Sequence, residues 1–365
     1  GPAPVRTLER FLASYSFPPA SIDTFQMRAG VYQGIYHGIP LTLCSAAHLP
    51  TIGEPVILSI DADFFPPLAR GRGQDVLTAM ALFFDRLAEK QYRVRDALVA
   101  ASINGGYLGV ARRWIADHCL TYLARPEVRS HPYPPSWLIR NTADGYYQQD
   151  QTRALLDFTA HWCRERPRDS CLMAYRAFAV LAAGDRRGAM ALATAVCREN
   201  PRFAYLFADL GQCLLDRGAL EAALPFFQKA YQAAPSMNFR QKNLADVLLA
   251  AGRYRQALAY YAAYRRLNGT FPAAFLMGFA AEKLGDHRQA GKWYAQGVEA
   301  LGAQRYFFLN ATADGEAVRR AVAYFRHRHD AAAVKIIMAH PRLRACLDGA
   351  GTPPQRVPRA IHSGR

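Results

Sequence analysis

The sequence predicts an α/β N-terminal domain followed by an all-α superhelix of stacked helix pairs, an α-solenoid. Three observations predict it. Gly184, Gly218, Gly252 and Gly285 recur at spacings of 34, 34 and 33 residues, the sign of a repeated two-helix unit. Residues 56–60, Val-Ile-Leu-Ser-Ile, form a β-branched apolar run after Gly53 and Pro55, the pattern of a buried parallel strand. Of the 365 residues, 51% are hydrophobic and 20% charged, which excludes a disordered chain and supplies a full core.

The first half is expected to hold the α/β domain, residues 1–135. An early strand is read at 41–45 and a second at 56–60. A helix follows at 74–90, where apolar residues fall at helical spacing. A further strand at 97–102 leads through the turn Asn104-Gly105-Gly106-Tyr107 into a helix at 109–124. The order β–β–α–β–α argues for parallel strands in one layer. Ligands in such sheets sit at the carboxyl ends of strands, which singles out Asp61 and Asp63, and a possible cleft at Ser102, Asn104 and Tyr107. Two carboxylates at i, i+2 leaving a strand can reach one hard cation. Equally, Asp61 can cap the next turn and Asp63 can pair with an arginine. Ser102 has no His and Asp in a recognisable arrangement, so a serine hydrolase is not indicated.

The proline-aromatic stretch 131–137 marks a change of architecture. Residues 136–149 are read as a linker, and 150–348 as the helical array. Residues 150–166 read as a second helix of a pair without a full first one, ended by Pro167. Repeats follow at 170–203, 204–237, 238–270 and 271–303. Each period glycine is followed five residues later by alanine, at Ala189, Ala223, Ala257 and Ala290. Residues 315–328 and 330–339 read as two capping helices, the first capped by Thr312 or Asp314 and the second by Asp330. His327 and His329 lie two apart on a helix end and face different sides, so they read as a basic terminus. Residues 349–365 read as a flexible tail.

The segment 210–235 carries the pattern most fully and resembles the tetratricopeptide repeat. Leu210-Gly211 match the small residue of the first helix (helix A) that lets the second (helix B) approach. Ala223, Phe227 and Ala230 match helix B, and Pro235 the closing turn. Ala177 and Ala245 stand at the helix-A glycine position in the first and third repeats. Gly278 restores it in the fourth, with Tyr294 at the aromatic site. One such hairpin cannot bury its apolar face, so neighbours stack. The resemblance implies a surface of helix-A residues presented to a protein or peptide. The candidates are Tyr205, Asp209, Asn238, Lys242, Asp246 and Phe275. Tyr254, Tyr260, Tyr261 and Tyr264 are read as repeat core.

A second resemblance rests on Ile60-Asp61-Ala62-Asp63-Phe64-Phe65 and on residues 102–108. These are similar to an uncharacterised branch of the arginase (ureohydrolase) and deacetylase-like fold. That resemblance implies Asp61 and Asp63 as ligands of Mn or Zn. The His-x-Asp cluster of that family is missing, so the domain reads as partial and degenerate, with no cofactor as the leading expectation.

The charge is uneven. Residues 170–303 hold 16 basic and 9 acidic side chains and 304–365 hold 11 and 4, against 14 and 13 in 1–150. A basic array favours an acidic protein or peptide partner, and no nucleic-acid recognition motif accompanies it. Only 6 of the 45 basic residues are lysine, the bias of a GC-rich bacterial genome. The seven cysteines form no C-x-x-C pair and read as buried thiols, although Cys163 and Cys171 could join in an oxidising compartment. No apolar run reaches a membrane span. Gly1-Pro2 reads as a tag scar, so a native signal or anchor is expected to have been trimmed, which favours the bacterial envelope slightly over the cytoplasm. The leading expectation is a bacterial adaptor or scaffold on a degenerate hydrolase-fold platform. The alternative is a metal-dependent C–N hydrolase with Asp61 and Asp63 as ligands.

Overall fold

The computed structural model describes residues 19–28, 31–36, 38–103, 108–130, 132–235, 238–268, 271–303 and 313–340, with 343, 344 and 347. The chain divides into two compact units: Gly1–Ala101 with Ile115–Trp137, and Ser102–Trp114 with Leu138–Arg365. No helix among the described residues is long and apolar enough to cross a membrane.

In the first unit a short helix α1 (Pro19–Ile22) precedes an antiparallel sheet of β1 (Gln26–Arg28), β2 (Val31–Tyr36) and β3 (Ile39–Leu43). Tyr36 pairs with Ile39 across a tight turn, where Gly38 takes a φ of +80° that other residues adopt only with strain. A second sheet pairs β4 (Val56–Asp61) in parallel with β5 (Val94–Ala100), Ile60 opposite Val99. The crossover runs through α2 (Phe65–Gly71) and α3 (Val76–Glu89). Asp75 caps α3, accepting from the Thr78 amide at 3.0 Å. Helix α4 (Trp114–Ala124) follows β5. The core gathers Ile60, Phe65, Leu77, Met80 and Phe84, with Phe84 stacked on Tyr122 at 4.7 Å between ring centroids.

Two expectations change here. The strand near 41–45 belongs to the separate antiparallel sheet, so the parallel sheet has two strands and not a continuous layer. The run 56–60 is not buried on both faces: Ile57 is 67% exposed and Leu98, on the same face of β5, 60%. Among the described residues helices cover one side only, and an apolar run alone cannot say whether one face or two are covered.

Helix α5 (Pro135–Gln148), in the second unit from Leu138 onward, replaces the expected linker at 136–149. Pro135 occupies the first helical position, where its missing N–H is not needed. Ile139 and Ala143 then bury at helical spacing. Helix α6 (Thr152–Glu165) follows. Four hairpins come next: α7 (Ser170–Ala182) with α8 (Arg186–Glu199), α9 (Leu206–Asp216) with α10 (Leu220–Ala233), α11 (Asn238–Ala250) with α12 (Tyr254–Asn268), and α13 (Phe271–Lys283) with α14 (His287–Ala303). Along the four hairpins each helix packs against the next in order, least closely at α8 and α9, which the turn Pro201–Phe203 separates. This is a tetratricopeptide-like solenoid.

The period glycines end each helix A. Gly184, Gly218, Gly252 and Gly285 have φ of 95°, 73°, 71° and 79°, the left-handed conformation that closes a helix. Within a hairpin, small residues meet aromatic ones. A Cβ on Gly211 would stand 2.8 Å from the Phe227 ring, and one on Gly278 would stand 2.5 Å from Tyr294. The alanines five residues after each glycine are buried. The stack closes with α15 (Ala313–His327) and α16 (Ala331–Met338), which pack on α13 and α14 respectively. Asp330 caps α16 as expected, accepting from the Ala333 amide at 3.0 Å. Asp314, read as a cap, instead lies within α15 and is buried. Thr312 lies outside the described residues, as does the tail 349–365. Cys163 and Cys171 are both buried free thiols, not a disulfide.

Candidate functional site

The helix-A side of the array is occupied by the chain itself. The 3-10 turn Val110–Arg113 packs on α7 and α9, and three contacts hold its neighbourhood. The Val110 amide donates to Asp209 Oδ2 at 2.7 Å. Arg112 Nε donates to Asp144 Oδ1 at 2.6 Å. Trp114 Nε1 donates to the Tyr175 hydroxyl at 3.1 Å, which donates in turn to Asp144 at 2.8 Å. Gln148 adds a further donor to Asp144, and the Arg112 guanidinium lies 5.5 Å from the Tyr147 ring centroid. Val110, Arg112, Trp114, Asp144 and Tyr175 are all buried.

A buried charge costs several kcal/mol unless it is paired, so this closed pair sets the electrostatics. Burial works against the Arg112 charge, but Asp144 and the two tyrosine hydroxyls outweigh it and its pKa is raised. Burial pushes the Asp209 carboxyl up to about 7, although the Val110 amide and Arg240 pull the other way. Arg240 is itself buried, over the Tyr205 ring at 4.3 Å, with one guanidinium nitrogen donating to the Ala230 carbonyl.

Further along, Lys242 Nζ bridges Asp246 at 2.9 Å and Asp314 at 3.0 Å. The Tyr261 hydroxyl donates to Asp246 at 2.7 Å. This buried cluster ties the third hairpin to the capping helix α15. Burial opposes the Lys242 charge, yet the two carboxylates raise its pKa.

The residues expected to face a partner therefore divide. Tyr205 lies half-buried under Arg240, and Asp209 holds a backbone amide of the chain. Lys242 and Asp246 face each other inside the array. Phe275 is a core residue with no exposure, and a Cβ on Gly297 would run into its ring. Asn238 begins α11. Helical spacing locates these residues on helix A, but it cannot show that residues 108–114 and α15 close over that side. Arg112, Asp144, Tyr175 and Arg240 were not anticipated, because partners 31 and 32 residues apart leave no periodic signal.

In the first unit, Asp61 ends β4 and is exposed, and Asp63 is half-buried in the turn Ala62–Phe64. The Asp61 side chain does not cap that turn. Among the described residues, no group of three or more His, Cys, Asp or Glu is placed to hold a metal ion. In the second unit, Ser102 has a φ of +53°, and its carbonyl accepts from the Leu108 amide at 3.1 Å. Asn104 and Tyr107 lie outside the described residues.

Part of the helix-B side is open among the described residues. Between α8 and α10 runs a groove of about 960 Å³, bordered by Arg186, Arg187 and Arg198 and floored by Met190, Pro225 and Phe226. Arg187, Ala191, Thr194 and Arg198 are all exposed. Their spacing of 4, 3 and 4 residues puts them on one stripe of α8.

No family model matches the sequence, and no curated protein matches it. Several solved structures are similar to part of the chain. MamA 41-end from Desulfovibrio magneticus RS-1 is 18% identical, covering 46% of this chain and 96% of its own, with a TM-score of 0.34. YrrB, described as a TPR protein with an unusual peptide-binding site, is 17% identical over 53% of this chain and 97% of its own, at 0.35. Pseudomonas aeruginosa PilF is 17% identical over 57% and 93%, at 0.35. The glycine turns and small–aromatic pairs establish the repeat in this chain independently of these likenesses.

Proposed function

We propose that this chain is a bacterial protein-binding adaptor that holds a peptide or protein segment on its helical array, with the first unit as a platform. One observation carries the reading. The array already binds peptide in cis: the segment around Val110–Arg113 is held on α7 and α9 by an amide–carboxylate bond, and beside it by a guanidinium–carboxylate pair and an indole–hydroxyl bond. The excess of basic residues in 170–303 favours an acidic partner.

A random-peptide display selection on the full chain tests this. The expected result is a recurring sequence pattern that binds as a synthetic peptide with micromolar affinity. Selection that enriches no pattern over the starting library in independent repeats would defeat the reading.

A further inference from the structure

We propose that the groove between α8 and α10 is the docking surface for an acidic, partly apolar peptide segment of a partner protein. The inference deepens the adaptor reading and rests on it, by naming the face and the chemistry of its occupant.

The groove combines charge and an apolar floor. The guanidinium groups of Arg186, Arg187 and Arg198 have no hydrogen-bond or ion-pair partner among the described residues. Both acidic residues at the groove are already engaged. The Asp185 carboxylate accepts from the Gly188 amide at 2.8 Å, and Glu221 pairs with Arg253 at 3.1 Å. The surface therefore presents three guanidinium groups with no local carboxylate assigned to them, a geometry suited to carboxylates. Between the arginines lie Met190 and the exposed ring of Pro225, with Phe226 buried beneath. Pro225 sits inside α10 and supplies no N–H to the carbonyl of Glu221, so the groove wall carries a backbone acceptor without its helical donor.

Charge decides among occupants. The chain's own segment 349–365 holds three arginines and no acidic residue, and 1–18 holds two arginines and one glutamate. Both are repelled by this surface. Single-stranded nucleic acid requires exposed aromatic faces for its bases, but the groove's aromatic residue, Phe226, is 2% exposed. An acidic segment with interleaved apolar side chains satisfies both the arginines and the floor.

The test is fluorescence anisotropy on the full chain with a labelled peptide, Asp-Leu-Glu repeated four times. Its counterpart with lysine at every acidic place and a 12-nucleotide polyuridine RNA serve as comparisons. R187E/R198E inverts the stripe. R288E/R326E makes the same charge change at exposed positions outside the groove, and circular dichroism checks that both variants keep the helical fold. The expected result is binding of the acidic peptide alone, weakened at least tenfold by R187E/R198E and less than twofold by R288E/R326E. Equal weakening by both pairs, or none by R187E/R198E, overturns the groove while leaving the adaptor reading standing. Tighter binding of the RNA, lost in R187E/R198E, assigns the groove to nucleic acid and overturns the peptide. Binding of neither peptide, together with an empty display selection, defeats the adaptor reading itself.

Discussion

On the helix-A side of the array, Asp209, Arg240, Lys242 and Asp246 all direct their polar atoms into the chain. On the helix-B side, Arg186, Arg187 and Arg198 do not. Both sides belong to the same helical array. The difference is what covers them. Residues 108–114 and helix α15 bring groups to the helix-A side that need counter-charges. Among the described residues, the helix-B side between α8 and α10 meets no such element, so its charges stay available. In this solenoid, a polar residue on the inner helix is therefore first a device for fixing neighbours in register.

That contrast can be broken by removing the inner charges. Lys242→Ala leaves Asp246 and Asp314 buried without their cation, and is expected to cost about 3–5 kcal/mol, read as a fall in the urea midpoint. Arg112→Met should cost less, about 2–3 kcal/mol, because Asp144 keeps the Tyr175 and Gln148 donors. If both substitutions proved neutral, the helix-A side would not be sealed by these pairs.

Hairpin packing sharpens the comparison. Gly278→Leu drives a side chain into Tyr294 and is expected to cost about 1–3 kcal/mol by overpacking. Substitution of exposed Ala191 in α8 by Gln should change stability by less than about 0.5 kcal/mol.

The helix-A side also predicts a pH dependence. The Asp209 carboxyl is pushed up to about 7 in the folded chain, above its unfolded value near 3.9. Between those values the folded state holds a proton that the unfolded state has lost, so stability falls as pH rises toward 7 and the loss is complete above it. Asp209→Asn keeps an oxygen for the Val110 amide and cannot ionise. It should therefore gain stability over the native chain at pH 8 relative to pH 5, measured by urea unfolding at both. An equal difference at the two pH values would contradict the raised value.

Much of the array was legible in the sequence. Glycines 33 or 34 residues apart need the left-handed turn that ends a helix, and that alone positions all four hairpins. Gly211 with Phe227 and Gly278 with Tyr294 were readable as contacts, because a missing side chain and a ring at fixed offsets must meet. Other parts were not legible, for physical reasons. Pro134-Pro135 reads as a linker signal, yet proline fits the first turn of a helix. The run 56–60 shows that a strand is apolar, not how many helices cover it. The candidate site was the least legible part, since the Arg112–Asp144 and Lys242–Asp314 pairs join residues 32 and 72 positions apart.

The most direct measurement is hydrogen exchange at the amide of Val110. The account predicts that this amide, bonded to Asp209 and buried with its neighbours, exchanges as slowly as the amides of α7. Exchange at the rate of an open loop would contradict it, and would return the helix-A side to the set of surfaces open to a partner.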